Sequence, residues 1–326
     1  MNTTELHQLA FRFREARIVF SGVELGIFAA LAKGGRSARD LAHELELCED
    51  SLRVLLDALA AMGVLRNRAE SYELEPACAD ALLPGNDEFL GPLLLHDLWH
   101  WTSWAYLDRS VRCGTPHRER QQDPHLCSAV VLARFLPNYT LAMEQSAGAS
   151  LEGLAEHIEP LAPRSLLDLG GGSGRLLLDL LERCPDARGT LVDHAFALER
   201  ARELAAEHPA GERLTLLELD FERAELPGGH DLILLSRVLM GLPAARARAL
   251  VARAARALEP GGHLVIHDYD ATTRVGAVLS VDMLLHCGSE VHASRAIQGW
   301  LADAGLESAD DGKVLSYTRC WIGGKR

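Results

Sequence analysis

Residues 165–174 read Ser-Leu-Leu-Asp-Leu-Gly-Gly-Gly-Ser-Gly, an apolar run through Asp168 that opens into a turn holding Gly170, Gly171, Gly172 and Gly174. A strand that hands over to a helix through residues lacking a Cβ bares its main chain, so a ligand can lie directly against it. The apolar segment Leu176–Leu181 predicts the helix that follows. A dinucleotide fingerprint needs glycine at its first, third and sixth positions, and the sixth counted from Gly170 is Arg175. The pattern present is Asp-x-Gly-x-Gly-x-Gly. Two further predicted strands end in acids. Gly189-Thr-Leu-Val-Asp193 lies about 20 residues on, where a carboxylate can accept both ribose hydroxyls. Leu214–Asp220 follows, with Phe221 directly after it.

From Pro163 onward strand and helix alternate regularly, which predicts a doubly wound, Rossmann-like α/β sheet. The expected strands are Ser165–Leu169, Gly189–Asp193, Leu214–Asp220, Asp231–Val238 and His263–Tyr269. Between the last two, Leu250, Val251, Ala254 and Leu258 give a helix over Pro243–Leu258 its apolar face, and Glu259-Pro-Gly-Gly262 stops it. Val314–Ile322 reads as one antiparallel closing strand.

The N-terminal third has a different rhythm. A helix is expected over residues 5–32, then a short helix capped by Ser37 with Asp40 at its third position. A further helix spans Asp50–Met62 and is ended by Gly63, and a small hairpin runs from Val64–Arg66 to Ser71–Leu74. That order is a winged helix. Its would-be recognition helix sets Glu49, Asp50 and Asp57 against Arg53, and the whole chain carries a net charge of −13. Such a surface repels phosphates, so the expectation is a structural lobe, with no nucleic-acid partner, that buries its apolar face against a second copy of the chain as a homodimer. Residues 89–145 read as a helical connector rich in aromatics: Phe89, Trp99, Trp101, Trp104, Tyr106, Phe135 and Tyr139. The predicted domains are 1–88 (dimerisation), 89–150 (connector lining a substrate pocket) and 151–326 (cofactor binding).

At 326 residues the chain exceeds one core's usual size, and 48% hydrophobic with 24% charged residues excludes disorder. No apolar run reaches the ~18 residues that would span a bilayer, and the N-terminus lacks a secretory pattern, so no membrane partner and a cytoplasmic location are expected. The seven cysteines, Cys48, Cys78, Cys113, Cys127, Cys184, Cys287 and Cys320, are odd in number and contain no Cys-x-x-Cys pair. Neither a disulfide framework nor a zinc cluster is expected.

Taken together, the motifs resemble the dimeric small-molecule O-methyltransferases, the family of plant caffeate and hydroxyindole methyltransferases and of bacterial natural-product tailoring enzymes. The resemblance covers essentially the whole chain. It is carried by Trp104 and Gly114, Met143 and Ser146, Asp168-x-Gly-Gly-Gly-x-Gly174, Leu191-Val-Asp193, Asp220-Phe221, Ser236-Arg-Val-Leu239, Leu258-Glu-Pro-Gly-Gly262, Asp282-Met-Leu-Leu285 and Gly288-Ser-Glu290. It implies a class I methyltransferase domain, S-adenosylmethionine as cofactor, a swapped helical dimerisation lobe and a small natural-product substrate methylated on a hydroxyl or enol. By resemblance Asp168, Gly170, Gly172, Gly174 and Asp193 hold the cofactor. Asp220 and Phe221 flank the adenine, Ser236 lies near the methionyl end, and Met143 with Ser146 approaches from the other side.

The chain departs from that family at the usual catalytic histidine, where the sequence reads Met240-Gly241-Leu242. A phenol of pKa about 10 benefits from a base in shedding its proton, and methionine cannot serve. The candidates are His286, Asp268 and Glu290. His286 is favoured because bacteriochlorophyll C-20 methyltransferases, which the chain resembles in Ser236-Arg-Val-Leu, also lack the usual histidine and use one near this position. Trp99, His100, Trp104, Tyr139 and Met240 are expected to contact substrate, with His96 and His100 at i and i+4 as pocket or interface residues. No resident metal is expected. A weaker alternative gathers His267, Asp268, His286 and His292 around a metal for C-methylation of a 2-keto acid. Another is a repurposed scaffold that binds the cofactor without transferring its methyl.

Overall fold

The computed structural model describes residues 1–86, 88–117 and 129–326, and of 129–138, 308–311 and 313 the backbone alone. Cys127 and the side chain of Phe135 lie outside the described residues. The chain forms two compact units, Met1–Trp101 and Thr102–Arg326, and the division falls inside the helix Gly91–Trp104.

In the first unit the expected long helix is interrupted. Thr3–Glu24 ends at Leu25, Gly26 takes φ +74°, and a short turn of helix resumes at Ile27–Ala30. Only a residue without a Cβ adopts that backbone cheaply, so the apolar spacing continues while the helix axis does not. Ser37 caps the helix Ala38–Glu44 as expected, its hydroxyl accepting from the Asp40 N–H at 3.1 Å. Helix Glu49–Ala61 buries Leu52, Leu56 and Leu59 on one face, and Gly63 follows it at φ +77°. The hairpin joins β2 (Leu65–Arg68) to β3 (Ser71–Leu74) through Ala69 and Glu70, both left-handed, and β1 (Arg36–Ser37) pairs with β3 to complete the wing. On the would-be recognition helix Arg53 is paired with Asp57 at 3.2 Å, and Tyr72 donates to the same carboxylate at 2.6 Å.

The second unit is a seven-stranded sheet in the order β6-β5-β4-β7-β8-β10-β9. Its members are β4 (Ser165–Leu169), β5 (Arg188–Asp193), β6 (Leu214–Glu218), β7 (His230–Ser236), β8 (Leu258–Tyr269), β9 (Glu307–Leu315) and β10 (Thr318–Gly324). The first five run parallel. The single closing strand expected at 314–322 is instead the hairpin of β9 and β10, with β10 antiparallel to β8. The Glu-Pro-Gly-Gly stop is also part of β8, where Gly261 at φ +80° donates to the Lys325 carbonyl.

Alternation along β4 explains the two cores. Leu167 and Leu169 join one apolar cluster, and Leu166 joins the other on the opposite face of the sheet. Both faces are covered by helices, among them Arg175–Arg183 and Leu151–Ile158 on one side and Ala244–Ala257 and Ser294–Asp303 on the other. Chain order reverses at β4, which has β5 on one edge and β7 on the other. In open α/β sheets that crevice at the carboxyl ends of the strands is where ligands bind. Among the described residues no helix is long and apolar enough to cross a membrane.

Candidate active site

A cleft of about 340 Å³ opens at this reversal point. One wall is the loop after β4, Gly170–Ser173, with Asp168 beneath it. The other walls come from Asp193, His194, Phe196 and Phe221, from Ser236–Val238 with Gly241 and Leu242, and from Tyr139, Thr140, Met143, Glu144 and Ala147. Most lining groups are backbone or apolar.

The loop geometry follows from its glycines. Gly170 has φ +75°, and a Cβ there would lie 3.0 Å from Val238 and 3.1 Å from the Phe221 ring. Gly172 has φ +62°, and its absent Cβ would project into open space. The turn therefore packs tightly on its protein side and is bare on its cleft side. Gly174, also left-handed, starts the helix Arg175–Arg183 but does not itself line the cleft.

Asp168 is 1% exposed, and neither carboxylate oxygen has a hydrogen-bond partner among the described residues. Burial, with a smaller contribution from the Asp193 charge, pushes its pKa up to about 7. A buried carboxylate with no partner costs several kcal/mol when ionised, so this position is expensive unless something cationic arrives. Asp193 is differently placed. It accepts from the Gly172 N–H at 2.8 Å and the His194 N–H at 2.7 Å, which ties β5 to the glycine loop and offsets part of the upward shift that burial imposes.

Other expected cofactor residues fall in varied places. Phe221 and Met143 line the cleft. Asp220 does not: its carboxylate accepts from the Glu222 N–H at 3.1 Å and pairs with Arg223 at 3.6 Å, so it shapes the turn carrying Phe221 while Glu222 reaches the lining. Ser146 lies just off the lining and accepts from Arg237. Ser236 lines the cleft, its hydroxyl 2.9 Å from His267 Nδ1. Arg237, given no role of its own within the Ser236-Arg-Val-Leu run, takes the left-handed φ +57° and reaches the lining. Glu144 was also missed. It lines the cleft and is clasped by Arg200 through two bonds at 3.0 and 3.2 Å.

The three base candidates separate clearly. Asp268 is fully buried, and both oxygens are taken, one by the Met240 N–H at 3.0 Å and one by the Tyr269 N–H at 2.8 Å. Burial still lifts its pKa to about 6. It clamps the segment after β7 in place and does not line the cleft. Glu290 is exposed and borders a separate cavity of about 410 Å³ with Ser280, Ser289 and His292. His286 ends the helix Arg274–His286, 8% exposed, with Nδ1 2.9 Å from the Asp282 carbonyl and 3.3 Å from its carboxylate. Trp104 Nε1–H donates to that carboxylate at 3.1 Å. His286 is not part of the cleft lining, but Ser289 just beyond it donates to the Met240 carbonyl, next to Gly241 and Leu242, which are.

The alternative metal set does not converge. His267, Asp268, His286 and His292 do not bring ligand atoms within 4.8 Å of one another. His292 spends its Nε2 on the carbonyls of Leu239 and Leu242, each at 3.0 Å. Of the expected substrate contacts, Tyr139 lines the cleft, and Met240 is buried and does not line it. Trp99 and His100 belong to the first unit, where their rings meet at 5.2 Å.

The sequence profile of the O-methyltransferase domain matches residues 134–307, and that of the O-methyltransferase dimerisation domain matches residues 7–83. A 3-hydroxy-5-methyl-1-naphthoate 3-O-methyltransferase of Streptomyces sahachiroi is 29% identical over 93% of this chain and 89% of its own. The acetylserotonin O-methyltransferase of Mus musculus is 30% identical over 80% of this chain and 71% of its own. The fold matches human N-acetylserotonin methyltransferase, solved in complex with S-adenosylmethionine, with a TM-score of 0.87 at 18% identity over 100% of this chain and 98% of the other. With its glycine loop, buried acid and strand-end carboxylate in that setting, the chain belongs to the O-methyltransferase family and is an S-adenosylmethionine-dependent methyltransferase.

Proposed function

We propose that the cleft at the end of β4 holds S-adenosylmethionine and that the protein methylates a hydroxyl or enol of a small natural product. The observation that carries this reading is Asp168, a buried carboxylate with neither oxygen partnered among the described residues, set beneath a loop whose Gly172 faces open space. An ammonium group is the chemistry that such an acceptor lacks. Bound there, S-adenosylmethionine supplies an electrophilic methyl on a positively charged sulfur.

The chain's own groups divide the remaining work. Asp193 keeps lone pairs for ribose hydroxyls while two backbone N–H groups hold it in position. Phe221 and Met143 give apolar walls for the adenine and its surroundings, and Gly170 lets the loop sit against Phe221. Ser236 faces the methionyl end. The nucleophile's proton is assigned to His286. Its Nδ1 is the donor toward Asp282, which leaves the lone pair on Nε2, as a general base requires. Asp282 and Trp104 hold the ring in that state.

Replacing Asp193 with Ala is expected to weaken S-adenosylhomocysteine binding by roughly 10- to 100-fold, because buried polar groups of loop and ligand lose their acceptor. Calorimetry reads this directly, and an unaltered dissociation constant would remove Asp193 from the site.

The dimerisation domain supports assembly as a homodimer. The helix Thr3–Glu24 leaves Leu6, Leu9, Phe11 and Phe13 between 41% and 55% exposed, an apolar stripe that a second copy would cover. Sedimentation is expected to show a dimer that Leu9→Glu with Phe13→Glu converts to monomer. A monomeric parent protein would contradict the homodimer.

A further inference from the structure

The residue that organises Ser236 is His267, which the sequence offered only as a metal candidate. Ser236 ends β7, and His267 stands opposite it in register on β8. The serine hydroxyl lies 2.9 Å from His267 Nδ1, and the His267 carbonyl accepts the Arg237 N–H at 2.6 Å. Side chain and backbone of one histidine thus hold both residues at the point where the strand turns, left-handed, along the cleft. His267 is 0% exposed, and its Nε2 has no partner among the described residues.

A neutral imidazole has one N–H to place. Put on Nε2, it becomes a buried donor with nothing to bond, a rare and costly state. Put on Nδ1, it donates to Ser236 Oγ and leaves only a lone pair unmatched. Desolvation with the nearby Arg237 charge, holding the ring's pKa down near 3, removes the doubly protonated form from consideration. With Nδ1–H pointing at its oxygen, the serine cannot turn its own hydrogen toward the ring.

We infer that His267 is a positioning residue, locked as the Nδ1–H tautomer, that presents the Ser236 hydroxyl as a hydrogen-bond donor to an oxygen acceptor at the methionyl end of the bound cofactor. The inference rests on the cleft being the cofactor site, but the tautomer is a property of the free protein. Ser236 then acts on an oxygen that carries negative charge, a carboxylate, while Asp168 answers the ammonium.

The first test is a long-range ¹H–¹⁵N correlation spectrum of the free protein labelled at histidine. It should show His267 with its proton on Nδ1 at pH 7, and an Nε2–H or imidazolium pattern would overturn the inference. The second uses S-adenosylhomocysteine as the probe. Ser236→Ala and His267→Leu should each raise Kd by about 5- to 10-fold, and the double variant no further. His267→Asn, whose amide nitrogen falls near the place of Nδ1, should restore Kd to within about 3-fold of the parent. Additive losses, or an unchanged Kd in folded His267→Leu, would overturn it. Failure of the parent protein to bind the probe would instead overturn the cofactor assignment of the cleft.

Discussion

Replacing Asp168 with Asn is expected to make the free protein more heat-stable at pH 8 while weakening its affinity for S-adenosylhomocysteine by roughly 10- to 100-fold. The two effects share one cause. Asp168 is buried without a partner among the described residues, and its pKa stands near 7 instead of 3.8. A carboxyl whose folded-state pKa is raised holds its proton in the folded chain after the unfolded chain has released it. Stability therefore falls as pH climbs from about 4 and carries the full penalty above 7. A rise of about 3 units corresponds to a penalty on the order of 4 kcal/mol.

Asparagine removes the charge and keeps the shape, although its own amide is then short of partners and returns part of the gain. Melting temperatures should lie closest near pH 4, where the carboxyl is becoming neutral in the unfolded chain as well as the folded one, and draw apart progressively to a difference of several degrees at pH 8. Affinity of the parent for the probe should weaken as pH drops below about 7, because the carboxylate must ionise to meet an ammonium. Parallel stability profiles for the parent and the Asn variant would show that Asp168 is not the strained group described. This is the familiar exchange of stability for a prepared site.

The second large effect is expected at His286. His286→Ala should lower turnover by about 100-fold or more, the range of a general base, with Kd for S-adenosylhomocysteine unchanged. The split matters, because the imidazole stands outside the cofactor cleft and is fixed by Asp282 at 2.9 Å, itself held by Trp104 at 3.1 Å. Conversion of S-adenosylmethionine to S-adenosylhomocysteine over a panel of phenolic acceptors supplies the measurement. Turnover equal to the parent's would exclude His286 and return attention to Glu290, which is exposed where Asp268 is buried.

What could be read from the chain was whatever depends on local geometry. Glycine spacing and acids at strand ends are statements about how a backbone turns at a sheet edge, and β4, β5 and the loop between them follow from them directly. Long-range pairing was harder. Val314–Ile322 reads as one strand because the turn at Ser316 and Tyr317 has no glycine or proline to announce it, and β9 is visible only once β10 exists to pair with it. The break at Gly26 was hidden by apolar spacing that persists across it.

Side-chain direction was the least legible. Asp220 and Asp193 both close strand regions with an acid, yet Asp193 reaches the glycine loop while Asp220 turns back on Glu222. The difference lies in which backbone N–H each carboxylate meets. Arg237 entered the sequence reading only within the run Ser236-Arg-Val-Leu239 and His267 only as a metal candidate, because their roles come from the register of β7 against β8.

The central claim is that this glycine-built cleft is where the methyl donor binds. Calorimetric titration of S-adenosylhomocysteine into the parent protein and into Asp193→Ala tests it most directly. One saturable site per chain, strongly weakened in the variant, is the expected result. A flat titration of the parent, or equal binding by both proteins, would contradict it.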